Sequence, residues 1–67
     1  MNREKLEFRP FQNEGVDRIT GEANVYGTDI YEDGHYVGSI KWETPQDLDL
    51  MSDEELNETL LENGILL

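Results

Sequence analysis

The sequence predicts a small α+β fold: an antiparallel sheet of three to four strands with a central β-hairpin, and one C-terminal helix packed on one face. Three observations predict it. Two runs rich in Val, Ile, Tyr and Thr flank a turn dipeptide within residues 23–43. An alternating polar and apolar segment covers residues 5–9, and a capped segment with several leucines covers residues 53–63. Together they indicate one small domain, residues 1–67.

The first predicted strand covers residues 5–9. Leu6 and Phe8 alternate with charged residues, so both side chains lie on one face of the strand. Pro10 has no backbone N–H to donate, so the strand ends there or lies at the edge of the sheet. Beyond it, residues 16–20 are predicted to form a short strand or an extended connection.

The hairpin is predicted from the dipeptide at positions 33–34, Asp-Gly. A two-residue type I′ turn prefers this pair because both of its residues need positive φ angles. A turn of this length also sets the strand register, and it pairs Tyr31 with Tyr36 and Ile30 with Val37.

Continuous pairing divides the hairpin side chains between two faces. The face expected to form the core carries Val25, Tyr31, Tyr36, Ile40 and Trp42. The opposite face carries Tyr26, Thr28, Ile30, Val37 and Ser39. A β-bulge near Gly27 or Gly38 would shift the register by one residue and exchange the faces, so this alternative stays open.

The segment that follows the hairpin is predicted to be a connection. Pro45 closes the hairpin region, and in residues 46–51 two leucines alternate with two aspartates. This alternation favours a segment that lies extended over the sheet.

The C-terminal helix has both start and stop signals. Ser52 with Glu55 three residues later predicts a capping box at the helix start. Asn63 and Gly64 predict a left-handed stop, after which Ile65 turns back onto the helix. A helix of about three turns is too short to be stable alone, so its leucine stripe is expected to dock on the sheet.

Charge is distributed very unevenly along the chain. The formal net charge is -11, of which the first 41 residues contribute only -3. No basic residue follows Lys41, whereas eight acids do: Glu43, Asp47, Asp49, Asp53, Glu54, Glu55, Glu58 and Glu62. Such an excess favours a basic protein partner and disfavours direct binding to nucleic acid or to an anionic membrane.

The acids of the predicted helix suggest a function. Glu54, Glu58 and Glu62 repeat the same charge every four residues, which costs helix stability. The leading hypothesis is a non-enzymatic protein-binding module that inhibits a partner by occupying its basic nucleic-acid-binding surface. The residues expected to contact that partner are Asp47, Asp49, Glu54, Glu55, Glu58, Glu62 and Tyr26.

A second hypothesis gives the acids a role in solubility only. The chain would then be a small structural or adaptor domain, in one version a homodimer. Its contact surface would be the sheet face that carries Tyr26, Ile30 and Val37. Large exposed apolar patches of this kind mark protein interfaces.

Catalytic and metal-binding patterns do not fit. Counted from Asp47 as a calcium loop, positions 5 and 6 are Met51 and Ser52, where an oxygen ligand and a glycine are needed. His35 and Ser39 do not form a nucleophile with its base and orienting acid, and the chain has no cysteine. We therefore expect no enzymatic activity, no metal and no cofactor.

Location and resemblance complete the sequence-based expectations. The N-terminus does not read as a signal peptide, and no stretch approaches the roughly 20 apolar residues that span a bilayer. With the absence of cysteine, this predicts a cytoplasmic protein. In general character, by size and acidity, the chain resembles phage-encoded inhibitors and nucleic-acid mimics, although no motif carries that resemblance.

Overall fold

A computed structural model describes residues 2–16, 18–19 and 21–67 and confirms the α+β fold. A short 3-10 turn, Arg3–Lys5, precedes a three-stranded antiparallel sheet in the order β1-β2-β3. The elements are β1 (Leu6–Gln12), β2 (Tyr26–Glu32), β3 (His35–Lys41), α1 (Pro45–Asp49) and α2 (Asp53–Glu62).

Strand β1 is longer than predicted and runs through Pro10. It pairs only with β2, and Pro10 lies opposite Thr28. An edge strand tolerates a residue without an N–H, which is why the proline does not end it. Leu6 and Phe8 both pack against the core, so their predicted common face is confirmed.

The connection between β1 and β2 continues their pairing for a few residues. The Asn13 N–H donates to the Val25 carbonyl at 2.8 Å, and Val16 forms an isolated bridge with Ala23. The predicted strand or connection at 16–20 falls partly outside the described residues.

The predicted two-residue hairpin turn is confirmed. Asp33 and Gly34 have φ angles of 49° and 83°, as a type I′ turn requires. Next to the turn, Tyr31 pairs with Tyr36, as expected.

A β-bulge in β3 changes the register beyond that pair. Val37 is the extra residue, so Ile30 lies opposite Gly38, and the predicted pairing of Ile30 with Val37 is wrong. Farther along, Thr28 lies opposite Ile40. With continuous pairing, Ile30 and Ile40 would lie on opposite faces, whereas the bulge places both on the same one.

The predicted core face is therefore wrong for most of its residues. Ile30 and Thr28, assigned to the opposite face, are completely buried. Tyr36 and Trp42, assigned to the core, are 58% and 43% exposed. Val25 and Ile40 are buried, as expected. Ile40 joins the core beneath the helices because the bulge reverses the face of the later β3 residues relative to the turn.

The segment predicted to lie extended at 46–51 is largely helical. Within α1, Leu48 is completely buried, whereas Leu50, just after the helix, is exposed. In an extended chain Leu48 and Leu50 would point to the same side, but in a helix residues two positions apart point in nearly opposite directions. The extended connection is therefore a wrong prediction.

A capping box starts α1. The Asp47 N–H donates to the Thr44 hydroxyl at 3.2 Å, and the Thr44 N–H donates to the Asp47 carboxylate at 3.0 Å. Pro45 follows the cap, where its missing N–H costs nothing and its fixed φ suits the helix. The proline thus begins a helix instead of only ending the hairpin.

Helix α2 begins and ends as predicted, within one residue. The Glu55 N–H donates to the Ser52 hydroxyl at 3.2 Å at the helix start. The Glu55 carboxylate accepts from the Ser52 hydroxyl instead of the Ser52 N–H, so only half of the predicted capping box forms. Gly64 has a φ of 74° after the last turn, and the Ile65 N–H donates to the Leu60 carbonyl at 2.9 Å. This is the hydrogen bond of a Schellman motif, and it buries Ile65.

The core lies between one face of the sheet and the two helices. It contains Ile30, Ile40, Leu48, Leu56, Leu60 and Ile65. The side chain of Ile65 lies against Gly38, since a Cβ at that glycine would be 2.6 Å from Ile65 Cγ1. The helices therefore cover one face of the sheet, and among the described residues no element of secondary structure covers the other.

Arg3 connects the N-terminal segment to the junction of the two helices. Its guanidinium donates to the carbonyls of Met51 at 2.7 Å, Leu48 at 3.2 Å and Asp49 at 3.3 Å. It also forms an ion pair with Asp53 at 3.1 Å. One side chain thus satisfies carbonyls at the end of α1 and fixes the start of α2.

Candidate functional site

Three predicted contact residues form a row on α2, which we call the acidic ridge: Glu54, Glu58 and Glu62. All three side chains are exposed. At 3.6 residues per turn they lie on the side of the helix opposite Leu56 and Leu60, which are buried. Successive ridge residues are about 6 Å apart along the helix axis.

The ridge has no counter-ion within the described part of the chain. Of the eight acids after Lys41, only Asp53 has a described cation within 4.0 Å, and that cation is Arg3. The remaining ion pairs join Lys5 to Asp33, Arg9 to Glu7 and Lys41 to Glu22. The negative field of the ridge is thus not cancelled by neighbouring side chains.

Two other predicted contact residues have a structural role in helix caps. Asp47 closes the α1 cap with Thr44, whose N–H and hydroxyl lower the pKa of the Asp47 carboxyl. Glu55 accepts a hydrogen bond from the Ser52 hydroxyl at 3.1 Å. Both side chains stay exposed, as does Asp49, so a partner can still reach all three.

Tyr26, the remaining predicted contact residue, belongs to an exposed aromatic pair with Trp42. The ring centroids are 5.4 Å apart and the planes are at 86°, an edge-to-face arrangement. Tyr26 is 41% exposed. Trp42 has a φ of 69°, which is unusual for a bulky residue, and its N–H donates to the Tyr26 carbonyl at 2.8 Å.

Tyr26 also lines a surface groove of about 450 Å³, which we call the Tyr26 groove. Its lining includes Pro10, Phe11, Tyr26, Gly27, Thr44 and Pro45. The groove lies where the end of β1 and the start of β2 meet the start of α1. Sequence reasoning missed it because the first strand was expected to end before these β1 residues, and because α1 was not predicted.

The sheet face away from the helices carries a polar network. Arg9 lies 4.2 Å above the ring of Tyr31, which contacts the ring of Tyr36 at 5.7 Å between centroids. The Tyr36 hydroxyl and the Ser39 hydroxyl are 2.6 Å apart, and Ser39 donates to Asp29 at 2.6 Å. Ser39 thus lies between a phenol and a carboxylate in this network.

The contact surface expected for a homodimer is not present as predicted. It required Tyr26, Ile30 and Val37 on one exposed face, but Ile30 is 0% exposed. Val37 is half-buried and packs against the core. Ile30 and Val37 thus lie on the side that the helices cover, and the sheet face that remains accessible is the polar one.

The described residues contain neither a cluster of metal ligands nor a helix that could span a membrane. No three His, Asp or Glu side chains there are grouped so that they could hold a metal ion. None of the described helices combines the length and apolar character needed to cross a bilayer.

No family model matches the chain, and neither a curated protein nor a solved structure is significantly similar to it.

Proposed function

We propose that this protein is a non-enzymatic binding module that places its acidic ridge on a basic surface of another protein, one that otherwise holds nucleic acid. One observation carries the proposal: Glu54, Glu58 and Glu62 form an exposed row of one charge, with no described cation in ion-pairing distance of it. The binding site on the partner is a row of Lys and Arg side chains.

The stability cost of the ridge supports a binding role. Like charges four residues apart destabilise a helix by a few tenths of a kcal/mol per pair, and the ridge contains two such pairs. Solubility is served by charges of both signs interspersed over the surface, and it does not require a row of one sign. A partner that needs several carboxylates in line explains why they are concentrated on one side of α2.

The regular spacing of the ridge supports mimicry of a nucleic-acid backbone. A basic surface that binds DNA meets phosphate charges repeated every few ångström along each strand. The ridge offers three carboxylates at intervals of about 6 Å on a rigid helix. Its charge would speed encounter with the partner, and the aromatic pair Tyr26 and Trp42 would supply lasting affinity.

A charge-reversal experiment with a matched control tests this proposal. The ridge variant carries Glu54→Lys, Glu58→Lys and Glu62→Lys. The control carries Glu4→Lys, Glu14→Lys and Glu32→Lys. Each variant has a net charge of -5 in place of -11. Tagged forms of all three proteins are used to capture partners from native cell extract at low salt, followed by elution with rising salt and identification.

We expect the wild type and the control to retain a basic nucleic-acid-binding protein that the ridge variant loses. Duplex DNA or RNA added to the extract should compete with the wild-type protein for that partner, because both need the same cations. Equal capture by the two triple variants, or capture that salt does not weaken, would contradict the proposal.

The second hypothesis, a structural or adaptor domain, stays a prediction with a changed contact surface. A homodimer would now have to use the polar sheet face, where Tyr36 is the most exposed ring. Sedimentation at varied protein concentration separates the two hypotheses, because a dimer that depends on Tyr36 would favour the adaptor. The cytoplasmic location also stays a prediction.

A further inference from the structure

We infer that the Tyr26 groove receives an arginine side chain from an extended segment of the partner. This inference rests on the proposed function and adds the anchor that charge steering alone does not provide. It concerns a different part of the surface from the acidic ridge, and it can fail or succeed independently.

The groove has the size and lining of a side-chain pocket. Its volume of about 450 Å³ lies within the range of about 300–1,000 Å³ that is usual for ligand-binding clefts. Pro10, Pro45, Phe11 and Tyr26 are among its lining residues, and none of the lining residues is charged. A side chain that enters the groove therefore meets uncharged and largely apolar surface.

The aromatic part of the groove is held in place before any partner binds. Tyr26 pairs with Gln12 in the sheet, and its ring packs edge-to-face against the ring of Trp42. The backbone hydrogen bond from Trp42 to Tyr26 fixes the chain where it leaves β3. Rigid aromatic side chains lose little conformational entropy on binding, which is why they often anchor interfaces.

The charges near the groove are complementary to a cation. Glu43 and Asp47 flank the Thr44–Pro45 wall in the chain. The cations of the neighbouring strands lie elsewhere, because β-strand alternation puts Arg9 and Lys41 on the sheet face opposite Tyr26. The Thr44 N–H donates to the Asp47 carboxylate at 3.0 Å, so one negative charge lies directly beside a lining residue on the helix side of the groove.

Arginine fits this combination better than lysine or an aliphatic residue. Its planar guanidinium stacks on aromatic rings and is less strongly hydrated than an ammonium group. The molecule already contains such a contact, where Arg9 lies 4.2 Å above the Tyr31 ring. An aliphatic side chain would fill the groove but would gain nothing from the negative charges of Glu43 and Asp47, which flank its Thr44–Pro45 wall in the chain.

The single tryptophan provides a direct reporter of the groove. Trp42 contacts Tyr26, so its fluorescence should change when the groove is filled. The probes are three blocked tripeptides, acetyl-Gly-X-Gly-amide, in which X is arginine, citrulline or norleucine. Citrulline keeps the shape and most hydrogen-bonding groups of arginine but carries no charge. Amide chemical shifts measured in the same titration locate the site.

We expect saturable binding of the arginine peptide, about fivefold tighter than the citrulline peptide, since an exposed cation–π contact is worth up to about 1 kcal/mol. Tyr26→Ala should abolish the fluorescence response, and Glu43→Gln should weaken binding. Tyr36→Ala removes an exposed ring from the other sheet face and should change nothing. Amide spectra of each variant show that the fold is intact.

Three outcomes would overturn the inference: equal affinity for arginine and citrulline, a response that survives Tyr26→Ala, or shifts confined to α2. The last outcome would leave the acidic ridge as a binding surface while removing the groove. Conversely, arginine binding in the groove together with unchanged partner capture by the ridge variant would support the groove and contradict the proposed function.

Discussion

Arg3 is the single residue whose side chain makes the most long-range polar contacts in the described structure. It lies 45 or more positions from the carbonyls it binds, at the junction of α1 and α2. Its position near the N-terminus, among charged residues, gave no sequence signal of this role. Such a contact is decided by where two distant segments meet, which local patterns do not encode.

We predict that Arg3→Lys destabilises the protein by about 1–2 kcal/mol, measured by urea unfolding. A lysine keeps the charge near Asp53 but lacks the planar fork that reaches several carbonyls at once. Lys5→Gln serves as the control. The ion pair of Lys5 with Asp33 is exposed and 3.8 Å long, so its loss should cost less than about 0.5 kcal/mol.

Similar costs for the two variants would mean that Arg3 acts only as a surface charge. In that case the helix junction would have to be held by the apolar contacts of Leu48 and Met51.

At the scale of the element, the two helices differ in how well the sequence predicted them. The start and stop signals of α2 were read correctly because each involves residues within five positions of one another. The same kind of signal precedes α1, where Thr44 and Asp47 form the capping box. Pro45 hides this signal, because a proline after a hairpin predicts a break in the chain just as well as it predicts the first turn of a helix.

The cap of α1 should make the stability of the protein depend on pH. Hydrogen bonds from Thr44 lower the pKa of Asp47 below its ordinary value of 3.8. The carboxylate therefore favours the folded state at neutral pH, and this contribution is lost as the pH falls below about 4. We expect Asp47→Asn to lose less stability than the wild type between about pH 6 and pH 3, measured by thermal unfolding.

Asp49→Asn is the control for this acid effect, because the Asp49 carboxylate closes no helix cap. If it flattens the acid dependence as much as Asp47→Asn does, general charge reduction and not the cap explains the effect.

Repulsion within the acidic ridge should lower the stability of α2. Glu58→Lys replaces two like-charge pairs, with Glu54 and Glu62, by two pairs of opposite charge. We expect it to raise the free energy of unfolding by about 0.5–1 kcal/mol. Glu58→Gln removes the repulsion without adding attraction and should give about half of that gain.

If the ridge serves binding, the more stable Glu58→Lys variant should also capture less partner. A variant that is both more stable and fully able to bind would mean that the ridge carries no function. Stability and binding are thus measured on one substitution whose expected effects have opposite signs.

At the scale of the whole molecule, the net charge of -11 on 67 residues opposes folding through self-repulsion. We predict that the melting temperature rises when NaCl is increased from about 20 mM to about 500 mM, since salt screens exposed charges. The ridge variant, with fewer negative charges, should show a smaller rise. A fall in melting temperature would mean that the ion pairs, and not the repulsion, dominate stability.

The acidic ridge and the cations of the sheet lie on opposite sides of the molecule. The helices place uncompensated acids on one side, whereas the opposite sheet face carries Arg9 and Lys41, each in an ion pair. The sequence showed the excess of acid after Lys41 but not this separation, because the side on which each cation lies depends on strand register. The strand register has to be known before one can say whether cations of the sheet neutralise the acidic ridge.

The sequence by itself determined the features that depend on near neighbours. These are the turn at Asp33 and Gly34, the limits of α2, and the row of acids on α2. Each needs only hydrogen bonds or steric preferences between residues within about five positions. The α+β class followed from the order of these elements.

Only the tertiary structure decided the core face, the Tyr26 groove and the contacts of Arg3. The bulge at Val37 puts Ile30 and Ile40 on the same face, where the helix leucines can bury both. The choice between the two faces depends on the total apolar surface removed from water, to which residues far apart in the chain contribute. The sequences of β2 and β3 do not reveal this total buried surface, and so they cannot decide which face of the hairpin forms the core.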